Sequence, residues 1–272
     1  MLVITIIIIL CIFIVLYFNY ININEYYISS PTSYKWDIKN IYIINLPNRK
    51  ERFQHIKNQI SKSRLDKYFN IIYIKAVNGN EMIKRIFPKR NNLDISKNGY
   101  KWLDRVISKR EKDLGGWKLT PGGLGCALSH KIIWEDIIKK NEASLVFEDD
   151  IVIQKDFKKN LDKLLKNPFV TTAGLIYLGY GESDNLPEWV NKPEWVNKPI
   201  LKEPKRIYCT YSYLIQPCCA KQLLKNCFPL TYQIDTEIHM NYMKHKHLIK
   251  RLAIVPPLIK PHNKFTTDIQ IL

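Results

Sequence analysis

From residue 40 onward, short continuous apolar runs are separated by longer segments rich in polar and charged side chains. The first run, residues 41–46, reads IYIINL and is followed by Pro47. Such a run is typical of a strand that is buried on both faces of a sheet. Residues 49–62 have the charge density and spacing of a surface helix, and residues 69–77 form a second apolar run. This strand–helix–strand order predicts an α/β fold with a parallel sheet.

The same pattern continues along the rest of the chain. Residues 120–123 read TPGG and open a strong helix that we predict over residues 124–140. Further strands are predicted over residues 143–147, 174–178, 207–215 and 252–255, and further helices over residues 156–165, 220–226 and 235–246. Asn78-Gly79-Asn80 indicates a turn. Residues 81–118 are basic and irregular, and we expect them to form a partly helical excursion over the sheet.

An exact tandem repeat, PEWVNK read twice, lies within residues 187–199. A repeat this short cannot build a solenoid. The prolines at its boundaries and its Lys and Asn side chains predict a surface loop. Its two Trp side chains either contact an acceptor or result from a duplication in a tolerant loop.

The amino terminus has a different character from the rest of the chain. The first charged side chain is Glu25, and residues 2–23 form an apolar segment about long enough to cross a bilayer. A cleaved signal peptide would begin with basic residues and end at a small-residue cleavage site, and neither is present. We therefore predict a transmembrane anchor over residues 1–24 and a polar stalk over residues 25–39. The folded domain is expected over residues 40–272.

Composition fits one good-sized domain or two small ones. The chain has 272 residues, of which 46% are hydrophobic and 25% charged. Its formal charge of +17 attracts anions such as nucleic acid, anionic lipid or phosphorylated small molecules. The basic residues are scattered along the sequence without a recognisable nucleic-acid module, so no nucleic-acid partner is expected.

The six cysteines show no metal-binding pattern, because CxxC and zinc spacings are absent from the sequence. Cys11 lies in the predicted anchor, which leaves an odd number, five, for the domain. A domain in a secretory lumen would hold one or two disulfides, without the spacing showing which.

The sharpest chemical signal is the triplet Glu148-Asp149-Asp150, which directly follows the apolar run at residues 144–147. Three adjacent carboxylates repel one another, and a hard cation with oxygen ligands would relieve that repulsion. Ligands gather beyond the carboxyl ends of strands in open α/β sheets, which is where this cluster is expected. The alternative is an ordinary solvated acidic turn.

Several segments, taken in order over roughly residues 40–270, resemble glycosyltransferase family 25, which includes lipopolysaccharide and collagen galactosyltransferases. The resembling segments are residues 43–46 with Arg49 and Arg52, residues 76–79, residues 125–130 with Trp134, residues 145–150, residues 175–179, residues 211–224, Ile234-Asp235, and residues 256–258 with residues 267–269. The helix with Trp134 and the FEDD string at residues 147–150 look more like the collagen branch.

The resemblance implies a nucleotide-binding α/β fold of the glycosyltransferase A type with a mostly parallel central sheet. It also implies a UDP-sugar donor, a divalent cation (Mn²⁺ or Mg²⁺) and inversion at the transferred sugar. Galactose is the expected sugar, and a glycan or a collagen-like hydroxylysine is the expected acceptor. An inverting transfer needs one base to deprotonate the acceptor hydroxyl.

Site residues follow from combining these motifs with the resemblance. The candidates for donor binding are Asn45, Arg49, Arg52, Asn78, His130 and Asp149; for the metal, Glu148, Asp150 and His262; and for the base, Asp235 and then Glu237. Structural alternatives remain for several of them. Arg52 would pair with a surface acid, His130 would be a satisfied polar residue on a helix, and Asp235 and Glu237 would favour the positive end of a helix. A lone His262 in a polar tail would simply be exposed.

One departure from the family pattern bears on function. The family usually has a Glu just before its central helix, and Gly123 stands at that position here. This keeps open a catalytically inactive relative that binds glycans or partners. A basic, membrane-tethered nucleic-acid binder is permitted by charge but supported by no motif. The leading expectation is a single-pass membrane glycosyltransferase whose domain lies in a secretory lumen.

Overall fold

A computed structural model describes residues 33–86, 94–108, 117–182, 200–245 and 249–265. The predicted anchor, most of the predicted stalk and the PEWVNK repeat lie outside these ranges. None of the helices within them is both long enough and apolar enough to cross a membrane. The compact unit that contains the sheet spans Tyr34–Leu272.

Strands and helices alternate along the first half of this unit, much as the apolar runs predict. The strands are β1 (Asn40–Asn45), β2 (Asn70–Lys75), β3 (Ser144–Glu148), β4 (Ile151–Ile153), β5 (Leu175–Glu182), β6 (Ile200–Lys202), β7 (Ile207–Ile215), β8 (Arg251–Val255) and β9 (Ile259–Pro261). The helices are α1 (Lys50–Ser63), α2 (Gly79–Ile86), α3 (Lys97–Ile107), α4 (Pro121–Lys140), α5 (Phe157–Leu165), α6 (Pro217–Cys227) and α7 (Ile234–Lys244). Short 3₁₀ helices occupy Leu65–Lys67 and Pro168–Thr172.

Seven of these strands form one sheet in the order β2-β1-β3-β7-β5-β8-β6. The pairs β1/β2, β1/β3 and β5/β8 are parallel, whereas β7 and β6 run antiparallel to their neighbours. Five strands therefore run in one direction, which confirms the expected mostly parallel sheet. Ile44 of β1 pairs with Glu148 of β3, so both strands end at the same edge of the sheet.

Helices cover both faces of the sheet, and this explains the continuous apolar runs in the sequence. Ile43 and Phe147 are fully buried in a core cluster that also contains Ile56 of α1 and Phe157 of α5. Tyr42, the residue between two members of this cluster, donates its hydroxyl proton to Asp136 of α4 on the other face. Fully burying each large apolar side chain contributes about 1.5–3 kcal/mol before the entropy cost.

The helix α4 begins one turn earlier than the sequence predicts. The Thr120 hydroxyl accepts a hydrogen bond from the Gly123 amide at 2.9 Å, and Pro121 occupies the first helical turn. A Cβ added to Gly125 would lie 2.4 Å from the Val77 carbonyl oxygen, so only glycine permits this approach between α4 and the segment after β2. The amino-terminal turn of α4 is thereby held at the carboxyl end of β2.

The turn predicted at residues 78–80 is wrong, because Gly79 is already the first residue of α2. Asn78 instead precedes the helix, and its side-chain oxygen accepts a hydrogen bond from the Glu81 amide at 3.2 Å. Asparagine and glycine are favoured both in turns and at helix starts, so the dipeptide alone does not distinguish the two.

Seven basic residues gather in one place in the folded unit, although the linear sequence suggests a scattered distribution. A groove of about 890 Å³ between the end of α1 and α5 is lined by all seven. They are Lys62, Arg64, Lys155, Lys158, Lys159, Lys163 and Lys166. Only two acids, Asp156 and Asp162, line the same groove, so this end of the molecule is strongly positive. The five cysteines among the described residues are all unpaired thiols, so the disulfides considered from the sequence are not formed there.

Candidate active site

Two pockets adjoin at the carboxyl ends of β1, β2 and β3. The strand-end pocket, about 270 Å³, is lined by the segments that follow β1 and β2 and by the acidic triplet. The aromatic pocket beside it, about 700 Å³, is lined by part of β7 and the start of α7. Its aromatic side chains are Trp117, Tyr180, Tyr208, Tyr211 and Phe265. Cys126, Glu148 and Asp150 line both pockets, so the wall between them carries two carboxylates.

Asp149 lies inward from this wall and is only 5% exposed. Its carboxylate accepts a hydrogen bond from the Asn45 side-chain amide at 2.6 Å and pairs with the Arg52 guanidinium at 3.5 Å. Burial raises the pKa of Asp149, and Asn45 and Arg52 oppose that rise. Asp149 thus organises the ends of β1 and α1.

Glu148 and Asp150 carry the unbalanced negative charge of the site. Glu148 accepts a hydrogen bond from the Thr210 hydroxyl at 3.0 Å, and Asp150 lies 3.3 Å from the Arg52 guanidinium. Burial, followed by repulsion from Glu148 and Asp149, raises the pKa of Asp150 to about 7. A carboxylate with such a pKa is short of positive charge, which a bound cation would supply.

Arg52 is buried, and its guanidinium pairs with Asp149 and Asp150 of the acidic triplet. Arg49 and Asn78 line the strand-end pocket, as does Asn80. The structure therefore brings Arg49, Arg52, Asn78 and the acidic triplet to one place, close to Asn45.

The three metal ligands expected from the sequence line the aromatic pocket. His262 follows β9, and its backbone amide donates to the Asp150 carbonyl at 2.7 Å. Its imidazole is 4.5 Å from the ring of His55, centroid to centroid. Glu148, Asp150 and His262 all line the aromatic pocket.

A different set of ligand atoms lies closest together. Within the described part of the chain, the one group of three ligand atoms within 4.8 Å of one another is Cys126, His130 and Glu148. Cys126 is absent from the sequence-based candidates. Its spacing of four residues from His130 on a helix is the signal that would have suggested it.

His130 does not line either pocket. It is fully buried, with Nδ1 2.8 Å from the Tyr213 hydroxyl, which also accepts from the Trp134 indole at 2.9 Å. Its Nε2 lies 3.6 Å from Glu148 and has no hydrogen-bond partner. The position of His130 places it beneath the acidic wall, and it does not reach into the strand-end pocket.

The two candidate bases differ in where they point. Asp235 lines the aromatic pocket, and its carboxylate accepts from the backbone amides of Cys209 at 3.0 Å and Thr236 at 2.7 Å. Burial raises the pKa of Asp235 above its ordinary value. Glu237 is buried and accepts from the amides of Thr231 and Tyr232 instead. The structure therefore brings Asp235 to the pocket and does not bring Glu237 there.

Gly123 lies in the first turn of α4 and lines the aromatic pocket. A Cβ at this position would lie 3.2 Å from Cγ of Gln233, whose side-chain amide donates to the Lys118 carbonyl. Gln233 thus fills the space beside Gly123. The aromatic residues of this pocket come from distant parts of the chain, so spacing in the sequence could not reveal them.

Comparison with known proteins places the chain among glycosyltransferases. The family model "Glycosyltransferase family 25 (LPS biosynthesis protein)" matches residues 38–238. Procollagen galactosyltransferase 1-A of Xenopus laevis is 30% identical over 221 residues, which cover 79% of this chain and 32% of that protein. The chain thus spans about a third of that relative's length.

Two further matches extend the comparison. A probable inactive glycosyltransferase 25 family member 3 of Rattus norvegicus is 42% identical over 67 residues, covering 24% of this chain and 12% of that protein. Among solved structures, a glycosyltransferase involved in the glycosylation of the major capsid of PBCV-1 superposes with a TM-score of 0.40 at 10% identity. That match covers 84% of this chain and 94% of the other.

Proposed function

Because the chain belongs to glycosyltransferase family 25, we propose that it is an inverting glycosyltransferase with a fold of the glycosyltransferase A type. It transfers a sugar from a UDP-sugar to an acceptor hydroxyl. The observation that carries the proposal is the acidic wall formed by Glu148 and Asp150, which separates the strand-end pocket from the aromatic pocket. A wall of this kind sits where a diphosphate and an acceptor would meet.

The strand-end pocket suits the nucleotide. It offers Asn48, Arg49, Asn78 and Asn80 around a volume of about 270 Å³. Arg49 is a donor for phosphate or uracil oxygens at the exit of β1, and the asparagines offer donors and acceptors to uracil or ribose. Arg52 and Asn45 support this pocket through Asp149.

The carboxylates of the acidic wall, with His262 in the same aromatic pocket, have the ligand chemistry for a divalent cation. Carboxylate oxygens and a neutral imidazole suit Mn²⁺, and carboxylates suit Mg²⁺. Burial and the nearby His55 lower the pKa of His262, which favours the neutral, ligating imidazole. Glu148, Asp150 and His262 would hold the ion, which would neutralise charge on the departing diphosphate.

Asp235 is the proposed base for the acceptor. Its raised pKa suits a group that takes a proton from a hydroxyl while that oxygen attacks the sugar carbon and the bond to UDP breaks. The surrounding rings, among them Trp117, Tyr208 and Tyr211, offer stacking surfaces to an acceptor. Galactose on a glycan or on collagen-like hydroxylysine is the proposed product, and the procollagen galactosyltransferase relatives support the second.

A second candidate function is binding without transfer. It is favoured by Gly123, where the family usually has a Glu, and by similarity to relatives named inactive. A screen of UDP-sugars with Mn²⁺ and both acceptor classes separates the two functions. Release of UDP that depends on acceptor supports transfer, whereas donor or acceptor binding in calorimetry without release under any condition supports the inactive relative.

We also propose that residues 1–24 anchor the protein in a membrane, with the remaining chain in a secretory lumen. The support is the sequence of this segment, in which no charged side chain precedes Glu25. No nucleic-acid partner is proposed.

A further inference from the structure

We propose that Cys126, His130 and Glu148 form a zinc site that shares only Glu148 with the proposed Mn²⁺ or Mg²⁺ ligand set. The Cys126 sulfur, a His130 ring nitrogen and a Glu148 carboxylate oxygen lie within 4.8 Å of one another. Ligands in tetrahedral zinc stand roughly 3.5 Å apart, given bond lengths of about 2.0–2.3 Å. The ligand atoms therefore need to approach one another by at most about 1.3 Å to meet around one ion.

The positions of the ligands on α4 and β3 favour such a site. Cys126 and His130 are four residues apart on α4, so their side chains project from one face of the helix. Glu148, at the end of β3, approaches that face, with its carboxylate 3.6 Å from His130 Nε2. Cys126 and Glu148 line both pockets, which gives an ion an entry path.

His130 supplies an independent observation that points to a ligand. Its Nε2 is fully buried and lacks a hydrogen-bond partner, an arrangement that destabilises the fold if nothing binds there. The Tyr213 oxygen, which already accepts from Trp134, can accept a second hydrogen bond from Nδ1–H. That tautomer leaves the Nε2 lone pair facing Cys126 and Glu148, as in metal sites where the other ring nitrogen is held by a second-shell partner.

Ligand type predicts which ion the site takes. A thiolate together with an imidazole selects zinc over Mn²⁺ or Mg²⁺, which prefer oxygen ligands. Three protein ligands leave a fourth position open to water or to a ligand from either pocket. Binding exchanges the thiol proton for the metal, and the proton passes to solvent.

Cobalt(II) is the probe for the test, because it replaces zinc and reports its ligands in the absorption spectrum. With the full-length chain in detergent, one equivalent of Co²⁺ is expected to give a thiolate-to-cobalt charge-transfer band that Zn²⁺ abolishes. Cys126→Ala should lack the band. Cys218→Ala, which removes a partly exposed thiol lining neither pocket, should retain it. A wild-type chain without the band, or an equal band in folded Cys126→Ala, would overturn the proposal.

Tyr213→Phe tests the orientation of His130 without removing a ligand. The band should persist in this variant, while Zn²⁺ affinity falls about 10–100-fold, the usual effect of losing a second-shell partner. Near-ultraviolet circular dichroism of each variant shows whether it is folded. Unchanged zinc affinity in folded Tyr213→Phe would remove His130 from the ligand set.

A consequence for activity rests on the proposed function. Because Glu148 belongs to both ligand sets, zinc should reduce Mn²⁺-dependent UDP release, and a zinc chelator should restore it. If zinc-free protein releases no UDP at all, the proposed function fails while the cobalt spectrum still decides the site. If turnover is unaffected when zinc saturates the cobalt-reporting site, the two sets do not compete.

Discussion

The side-chain amide of Asn45 donates a 2.6 Å hydrogen bond to the carboxylate of Asp149, which joins the end of β1 to the segment after β3. The two residues are 104 positions apart in the chain. The contact holds the base of the strand-end pocket together, and it keeps a nearly buried carboxylate in its place. The stability of the fold and the shape of the pocket are therefore coupled through one pair.

Asn45→Ala should lower the free energy of unfolding by about 1.5–3 kcal/mol, the range for a hydrogen bond to a charged group. The pKa of Asp149 should rise further, since Asn45 is the first of the contacts that lower it. Urea unfolding measures the first effect. Asn48→Ala, an exposed asparagine on the same loop, is the control and should change little. An equal loss of unfolding free energy in both variants would show that the Asn45–Asp149 hydrogen bond does not stabilise the fold.

Asp150 should make the metal-free protein less stable as pH rises. Its folded pKa of about 7 lies above its ordinary 3.8, so the folded state binds the proton more tightly. The resulting stabilisation is complete below about pH 4 and is lost as pH rises to about 7. With a chelator present, the difference in stability between Asp150→Asn and wild type should grow in favour of the variant across this range. Asp66→Asn, at an exposed position, should show no such trend.

Asp235→Asn should reduce transfer about 10²–10⁴-fold, the usual contribution of a general base. UDP-sugar affinity should stay near that of wild type, because Asp235 lines the aromatic pocket and not the strand-end pocket. Steady-state kinetics measures the transfer rate, and calorimetry measures the UDP-sugar affinity. Glu237→Gln is the comparison, expected to lose about 1 kcal/mol of stability through its two amide contacts. If Asp235→Asn abolishes donor binding, the residue belongs to the donor site.

Gly125→Ala and Gly123→Ala should differ although they lie two residues apart in α4. At Gly125 the new Cβ would be 2.4 Å from a carbonyl oxygen, and at Gly123 it would be 3.2 Å from two side chains. Gly125→Ala should destabilise by about 1–3 kcal/mol through overpacking. Gly123→Ala should be close to neutral, because the helix preference of alanine, about 1 kcal/mol, offsets the cost of the 3.2 Å contacts. Thermal unfolding of the two variants tests this difference. Similar melting temperatures would contradict the close approach between Gly125 and the Val77 carbonyl oxygen.

The apolar amino terminus should behave as an uncleaved anchor. Expressed whole in a secretory system, the protein should stay with membranes through alkaline carbonate extraction. Residues 2–23 are long enough to span the bilayer, and no cleavage site follows. Amino-terminal sequencing of the product provides the check. A soluble protein that begins beyond residue 24 would mean a cleaved signal.

Much of the fold was predictable because buried strands leave continuous apolar runs. Residues 207–215 were predicted as a strand and form β7 over the same range. The three-residue strands β4, β6 and β9 were missed, because each is too short to have a pattern of its own. Their partners lie far along the chain, as with Ile153 and Ile259.

The candidate site shows the same limit at the level of side chains. The acidic triplet was recognisable because three carboxylates at a strand end repel each other. Two other contacts of the site were not recognisable. Thr210 donates to Glu148 and the Cys209 amide donates to Asp235, and β7 brings both donors there. Such contacts depend on how strands are ordered in the sheet, and no local pattern encodes that order.

The close contact between Gly79 and α4 has a consequence for engineering the donor preference. A Cβ at Gly79 would lie 1.7 Å from the Pro121 carbonyl oxygen, so at this position main chain bounds the strand-end pocket. No side chain at position 79 can reshape it. A mutagenesis library aimed at a new nucleotide or sugar should therefore vary Leu46, Asn48 and Arg49, which line the same pocket, and keep the glycine constant. Diversity at Gly79 would mostly produce unfolded variants.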